Sequence, residues 1–95
     1  MFKPLDPLLH SELRLAVMSL LLGLKEAEYG YLKEQTGATA GNLSVQLQKL
    51  YEADYIVIEK SFKGNYPLTT CLITKKGIDA FEKYVDTLNS YIKKK

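Results

Sequence analysis

The chain has 95 residues, 46% hydrophobic and 25% charged, with a formal net charge of +2. That length provides one small core with little stability to spare, and the balance is that of a folded soluble protein rather than a disordered or fibrous one. A single cysteine, Cys71, excludes an internal disulfide and a cysteine-based zinc site, and the longest nearly apolar run, 16–24, is far too short to span a bilayer.

Residues 1–9, MFKPLDPLL, carry two prolines and read as an extended arm. There is no basic leader with a small-residue cleavage site, so the expectation is an intracellular, cytoplasmic protein. Phe2, Leu5, Leu8 and Leu9 are too apolar for a tail in water, so the arm is expected to pack on something. A first helix is predicted from the N-cap Ser11 to about Leu22, closed by Gly23, with Leu13, Val17, Leu20, Leu21 and Leu24 supplying a broad apolar face. The charged KEAE that follows reads as a turn. Residues 30–36 form a short second helix, stopped by Gly37.

A third helix is expected from the N-cap Thr39 to about Ala53. Ala40, Leu43, Leu47 and Leu50 share its inner side, while Gly41, Val45, Gln48 and Glu52 lie opposite, with Asn42 and Lys49 on a flank. Its front is built from Gly, Ala, Thr and Asn, poor helix formers. Residues 55–61 and 68–74 are β-branched runs that read as strands, with FKGNYP as the turn between them. A final helix opens after Thr74 and runs towards the C-terminal lysines. It has Ile78, Phe81, Val85, Leu88 and Ile92 at heptad spacing, flanked by Tyr84 and Tyr91. The sequence has no repeat or internal linker, so 1–95 reads as one domain: arm 1–9, core 11–74, terminal helix 75–95.

Helix, short helix, helix, hairpin and long helix make a mainly α fold with a small β-hairpin, an α+β winged helix-turn-helix. Such a third helix enters the major groove of DNA, with the hairpin tip on the backbone or minor groove. Small side chains at the helix front let backbone N–H groups approach phosphate. Thr39, Asn42 and Ser44 can hydrogen-bond there, Gly41 leaves space, and Gln46, Gln48 and Lys49 reach base edges or phosphates. Val45 suits a thymine methyl. On the hairpin Lys60 and Lys63 neutralise phosphate and Asn65 bonds a phosphate or a minor-groove acceptor. The segment 60–76 carries Lys60, Lys63, Lys75 and Lys76 and no acid. A capped surface helix with a stray valine, and an edge hairpin kept soluble by lysines, are the plainer alternatives.

The stretches LHSELRLAVMSLL, YGYLKEQTGATAGNLSVQLQKLYEADYI and SFKGNYPLTTCLITKKG together resemble the small winged-helix transcriptional regulators related to the MarR and ArsR groups. The resemblance covers nearly the whole chain. It implies a homodimer that binds double-stranded DNA through Asn42, Ser44 and neighbouring third-helix residues plus the wing tip. Two positions depart from the pattern: Gln46 stands where relatives often have histidine, and Asp54 where glycine is usual. Only His10 and Cys71 are available as soft ligands, so metal sensing through a Cys/His cluster is not expected. No nucleophile–base pair, phosphate loop or dinucleotide fingerprint is present, so neither an enzyme nor a cofactor is expected.

The terminal seam, Ile78, Phe81, Tyr84, Val85, Leu88, Tyr91 and Ile92, is expected to hold two copies together, with Leu5 and Leu8 of the arm at the same interface. The alternative is one stripe packed on the domain's own first helix. A two-fold dimer implies an inverted-repeat site. Winged helices also serve as protein–protein modules, which is the competing function.

Overall fold

Apolar spacing decides which side of each helix is buried, and the structure, a computed structural model that describes residues 2–93, follows that rule closely. In chain order it contains α1 (Glu12–Leu24), β1 (Glu26–Glu28), α2 (Tyr29–Thr36), α3 (Ala40–Glu52), β2 (Ile56–Lys63), β3 (Tyr66–Ile73) and α4 (Lys75–Lys93). Val17, Met18 and Leu21 of α1, Leu32 of α2 and Leu43, Leu47 and Leu50 of α3 meet Ile56 and Cys71 of the sheet in one core. Each buried Leu or Ile contributes about 1.5–3 kcal/mol of burial. No described helix is long and apolar enough to cross a membrane.

The helix-turn-helix ends as its local sequence directs. Gly37 closes α2 in the left-handed conformation at φ +70, its N–H bonded to the Lys33 carbonyl at 3.0 Å. Thr39 caps α3, its Oγ1 accepting the Asn42 N–H at 3.2 Å. Ser11 occupies the cap position of α1, but its hydroxyl makes no capping bond.

Three expectations are corrected. Helix α1 does not stop at Gly23. It runs to Leu24, and Lys25 takes a positive φ, +73. The Lys25 N–H bonds to Leu21 O at 2.7 Å, and its carbonyl accepts the Ile73 N–H at 3.0 Å, so the sheet holds the turn. KEAE is not merely a turn. Glu26–Glu28 forms a third strand, antiparallel to β3, with Ala27 inward opposite Cys71. The sheet order is β1-β3-β2. Finally, the hairpin loop is two residues rather than six. Gly64 at φ +64 turns the chain tightly enough for the ladder to continue through Phe62–Pro67 and Lys63–Tyr66.

Asp54, in the position where the resemblance leads one to expect glycine, has φ +63. Its carbonyl accepts the Thr74 hydroxyl at 2.6 Å, which ties the end of α3 to the start of α4. The left-handed conformation explains why glycine suits this position.

The arm folds back on its own chain. Leu9 is fully buried, and Leu5 and Leu8 are half-buried against the core. Asp6 accepts the Tyr55 hydroxyl at 2.5 Å and the Leu8 N–H at 3.0 Å. Burial, then the hydrogen bond and charge of Asp6, push the Tyr55 hydroxyl up to about 12. Farther out, Phe2 stacks on Tyr91 with ring centroids 4.4 Å apart, and the Tyr91 hydroxyl donates to the Lys3 carbonyl.

The α4 seam is divided. Phe81 and Tyr84, 8% and 4% exposed, belong to the chain's own core, and half-buried Leu88 packs against it. Tyr84 Oη lies 3.0 Å from His10 Nδ1. Val85 and Ile92 face out, Ile92 at 69%, with Ile78 half-buried on the same heptad edge. So one edge of the heptad packs inward and the other remains open. Residues 94–95 of the expected terminal helix lie outside the described residues.

Candidate nucleic-acid interface

The exposed side of α3 is a ridge of small and polar residues. Thr39, Gly41, Asn42, Ser44, Val45, Gln48 and Lys49 are all exposed, and Val45 is open to 52%. Gly41 has no internal reason to be glycine. Its φ is ordinary, and an added Cβ would meet nothing within 4 Å. Neither position is constrained by packing within the chain, so the ridge is free to meet another molecule.

Helical turn and sheet register sort the expected residues into three groups. Ser44 and Gln48, one turn apart, line a groove of about 580 Å³ between α3 and the hairpin, together with Tyr51 and, across it, Ile58, Lys60 and Thr69. Gly41, Val45 and Lys49 lie along the outer ridge. Asn42 and Gln46 turn towards α1, where Arg14 Nη1 donates to Gln46 Oε1, and Gln46 Nε2 donates to Asn42 Oδ1 at 3.1 Å. Gln46 is therefore half-buried and already bonded, where it was expected to reach out to bases. Gln48 Nε2 reaches Glu52 at 3.3 Å within its own helix.

The hairpin separates its two lysines. Directly paired residues share a face, so Lys60 opposite Thr69 and Phe62 opposite Pro67 continue the inner face begun by Ile58 and Cys71. Lys63, opposite Tyr66, is on the other face. Lys60 thus faces the α3 groove with Phe62, which is 75% exposed, beyond it towards the tip. Asn65 forms the turn with Gly64. Lys75 and Lys76 lie at the far end of β3 from that turn. Lys75 pairs with Asp79 at 3.3 Å, and Lys76 sits over the Tyr55 ring. The acid-free segment of the sequence is therefore two separate basic places.

Four residues of the site were not singled out by sequence. Tyr29, at the start of α2, donates its hydroxyl to the Ala40 carbonyl at 2.9 Å and lies 3.2 Å from Ser44 Oγ, which pins the front of α3. No local pattern announces that contact. Arg14 had a signal: it is the only arginine, set in an apolar helix, where a half-buried guanidinium needs a partner. Phe62 is two residues from Lys60 in a strand, so the period of two places them on one face. Tyr51 follows Ser44 and Gln48 at helical spacing.

The described residues place a capped helix and a lysine-bearing hairpin around an open groove, an arrangement suited to a polyanionic strand. Comparisons with known proteins agree with this architecture. An uncharacterized protein of Methanocaldococcus jannaschii is 38% identical over 76 residues, which cover 80% of this chain and 83% of that protein. A transcriptional regulator homologue from Pyrococcus horikoshii superposes with a TM-score of 0.84 at 24% identity, covering 90% of this chain and 84% of its own. The transcriptional repressor BigR from Xylella fastidiosa superposes at 0.68 with 22% identity over 93% of this chain and 82% of its own. At those identities the structures establish the shared fold. Residues 13–92 match the model of the winged helix DNA-binding domain, and the chain belongs to that family.

Proposed function

We propose that this protein is a sequence-specific, double-stranded-DNA-binding transcriptional regulator that acts as a homodimer. Helix α3 enters the major groove with Asn42, Ser44, Val45 and Gln48 towards the bases. A phosphate strand follows the groove between α3 and the hairpin, where Lys60 meets it, and the wing tip with Lys63 and Asn65 lies on the backbone or minor groove. The observation that carries this reading is the open front of α3, with Gly41 unconstrained by the chain and Val45 exposed, beside a groove lined by Lys60.

Dimerisation is proposed through the open edge of α4. Ile78, Val85 and Ile92 recur every seven residues on one side, and Val85 and Ile92 are exposed among the described residues, at 38% and 69%. Phe81, Tyr84, Leu5 and Leu8 support that helix from beneath rather than meet the partner. A two-fold pair presents two α3 helices to an inverted repeat, with half-sites about one helical turn apart.

The test is titration of a fluorescent random duplex pool at two salt concentrations, with sedimentation of the protein alone. Binding is expected to weaken steeply as salt rises, because lysine–phosphate contacts release counterions. The protein is expected to sediment as a dimer, and Val85→Asp as a folded monomer. No binding at low salt removes the DNA reading. A monomeric wild-type protein at tens of micromolar, on the order of a weak specific complex, removes the dimer.

A further inference from the structure

We infer that Arg14 is a specificity-positioning residue: it fixes the polarity of the Gln46–Asn42 amide pair, so that Asn42 meets DNA as a hydrogen-bond donor. The inference rests on the DNA-binding reading above and adds which base edges that surface selects.

The guanidinium of Arg14 is held at two points. Its Nε donates to the Leu8 carbonyl at 2.5 Å and its Nη1 to Gln46 Oε1. Arginine has donors only, so the Gln46 amide must turn its oxygen towards it. The opposite end of that amide is then Nε2, which donates to Asn42 Oδ1 at 3.1 Å. Each step dictates the next. Asn42 keeps its oxygen towards Gln46, and its NH2 is the group left to act from an exposed position in the first turn of α3. An asparagine with both ends available pairs with adenine by accepting from N6 and donating to N7. Here the oxygen is already engaged, and the available donor suits acceptor edges, O6 and N7 of guanine, O4 of thymine or N7 of adenine, and finds no acceptor on the N4 edge of cytosine.

The same logic predicts an inversion. In Gln46→Glu the new carboxylate still pairs with Arg14, but its second oxygen needs a donor. Asn42 then turns its NH2 inward and presents Oδ1, which suits N4 of cytosine or N6 of adenine. In Arg14→Gln the anchor can face residue 46 with either end, so the polarity is released.

The experiment selects sites from random duplex DNA with the full chain, then competes duplexes that differ at one base pair. Asn42→Ala identifies that pair by losing preference there alone. The wild type is expected to prefer guanine over cytosine at it by about tenfold, Gln46→Glu to prefer cytosine over guanine by about tenfold, and Arg14→Gln to discriminate weakly. Loosened packing would lower affinity for every duplex and invert none. A second readout needs no DNA: in the free protein, exchange of side-chain amide protons should be slowed at Gln46 in the wild type, and at Asn42 in Gln46→Glu. If the wild type selects a site and Gln46→Glu selects the same base, the inference is overturned and the DNA reading stands. If the wild type binds no duplex, both fall.

Discussion

Three helices of this protein carry a glycine near the front, Gly30 in α2, Gly41 in α3 and Gly77 in α4, and the last two answer to different demands. At Gly77 in α4 an added Cβ would collide with the Tyr55 carbonyl and press on Ile73 and Met18 at 3.1 Å. At Gly41 in α3 it would meet nothing. The front of α4 is fixed by packing inside the chain. The front of α3 is left open, with room for a group from outside the chain. The contrast extends to the lysines: Lys75 and Lys76 are engaged by Asp79 and Tyr55, while Lys60 borders the open groove.

The largest effect should come from the packed side. Gly77→Ala forces backbone apart from backbone and is expected to destabilise by about 3 kcal/mol or more, read from urea unfolding. A near-neutral result would show that α4 can shift away from β2, and the contrast between the glycines would lose its basis. Next, Lys60→Ala is expected to weaken binding to all duplexes and reduce the salt slope by about one unit. Lys75→Ala should leave both unchanged. Equal losses from the two would mean that the acid-free segment acts as one patch.

Gly41→Ala should stabilise the protein by about 0.5–1 kcal/mol, since alanine is the better helix former and the site is open. It should also weaken DNA binding. Stability and affinity moving in opposite directions is the signature of a glycine kept for a partner. The smallest effect is a pH dependence at Tyr55, beside Gly77. Its hydroxyl ordinarily titrates near 10 and is held up to about 12 in the fold. A raised acid favours folding while it is neutral, so its contribution is complete below pH 10 and is lost between pH 10 and 12. The stability difference between wild type and Tyr55→Phe should be flat to pH 10 and then shrink.

What sequence could and could not disclose follows from the range of the interactions. The Gly37 stop, the Thr39 cap and the inner leucines of α3 were legible because each depends on residues within one or two helical turns. Strand β1 was not. Three residues alternating Glu, Ala and Glu have no strand identity until β3 lies beside them. The placement of Lys60 and Lys63 on opposite faces depended on a turn of two residues instead of six. The heptad of α4 was plain, but a periodic stripe does not say which edge the chain itself will cover. Within the candidate site, the exposed residues of α3 could be read from the helical wheel, whereas the Arg14–Gln46 contact spans 32 positions and needed the fold.

In the proposed function the front of α3 and the inner face of the hairpin form the DNA-binding surface. It is tested most directly by titrating isotopically labelled protein with a selected duplex and following the amide resonances. The resonances of Gly41, Asn42, Ser44, Val45, Gln48, Lys60 and Phe62 are expected to move together, while those of Glu26 and Glu28 on the opposite sheet face and of Gly77 at the root of α4 stay still. Shifts centred on Glu26, Glu28 or Gly77 with the α3 ridge unmoved would contradict it.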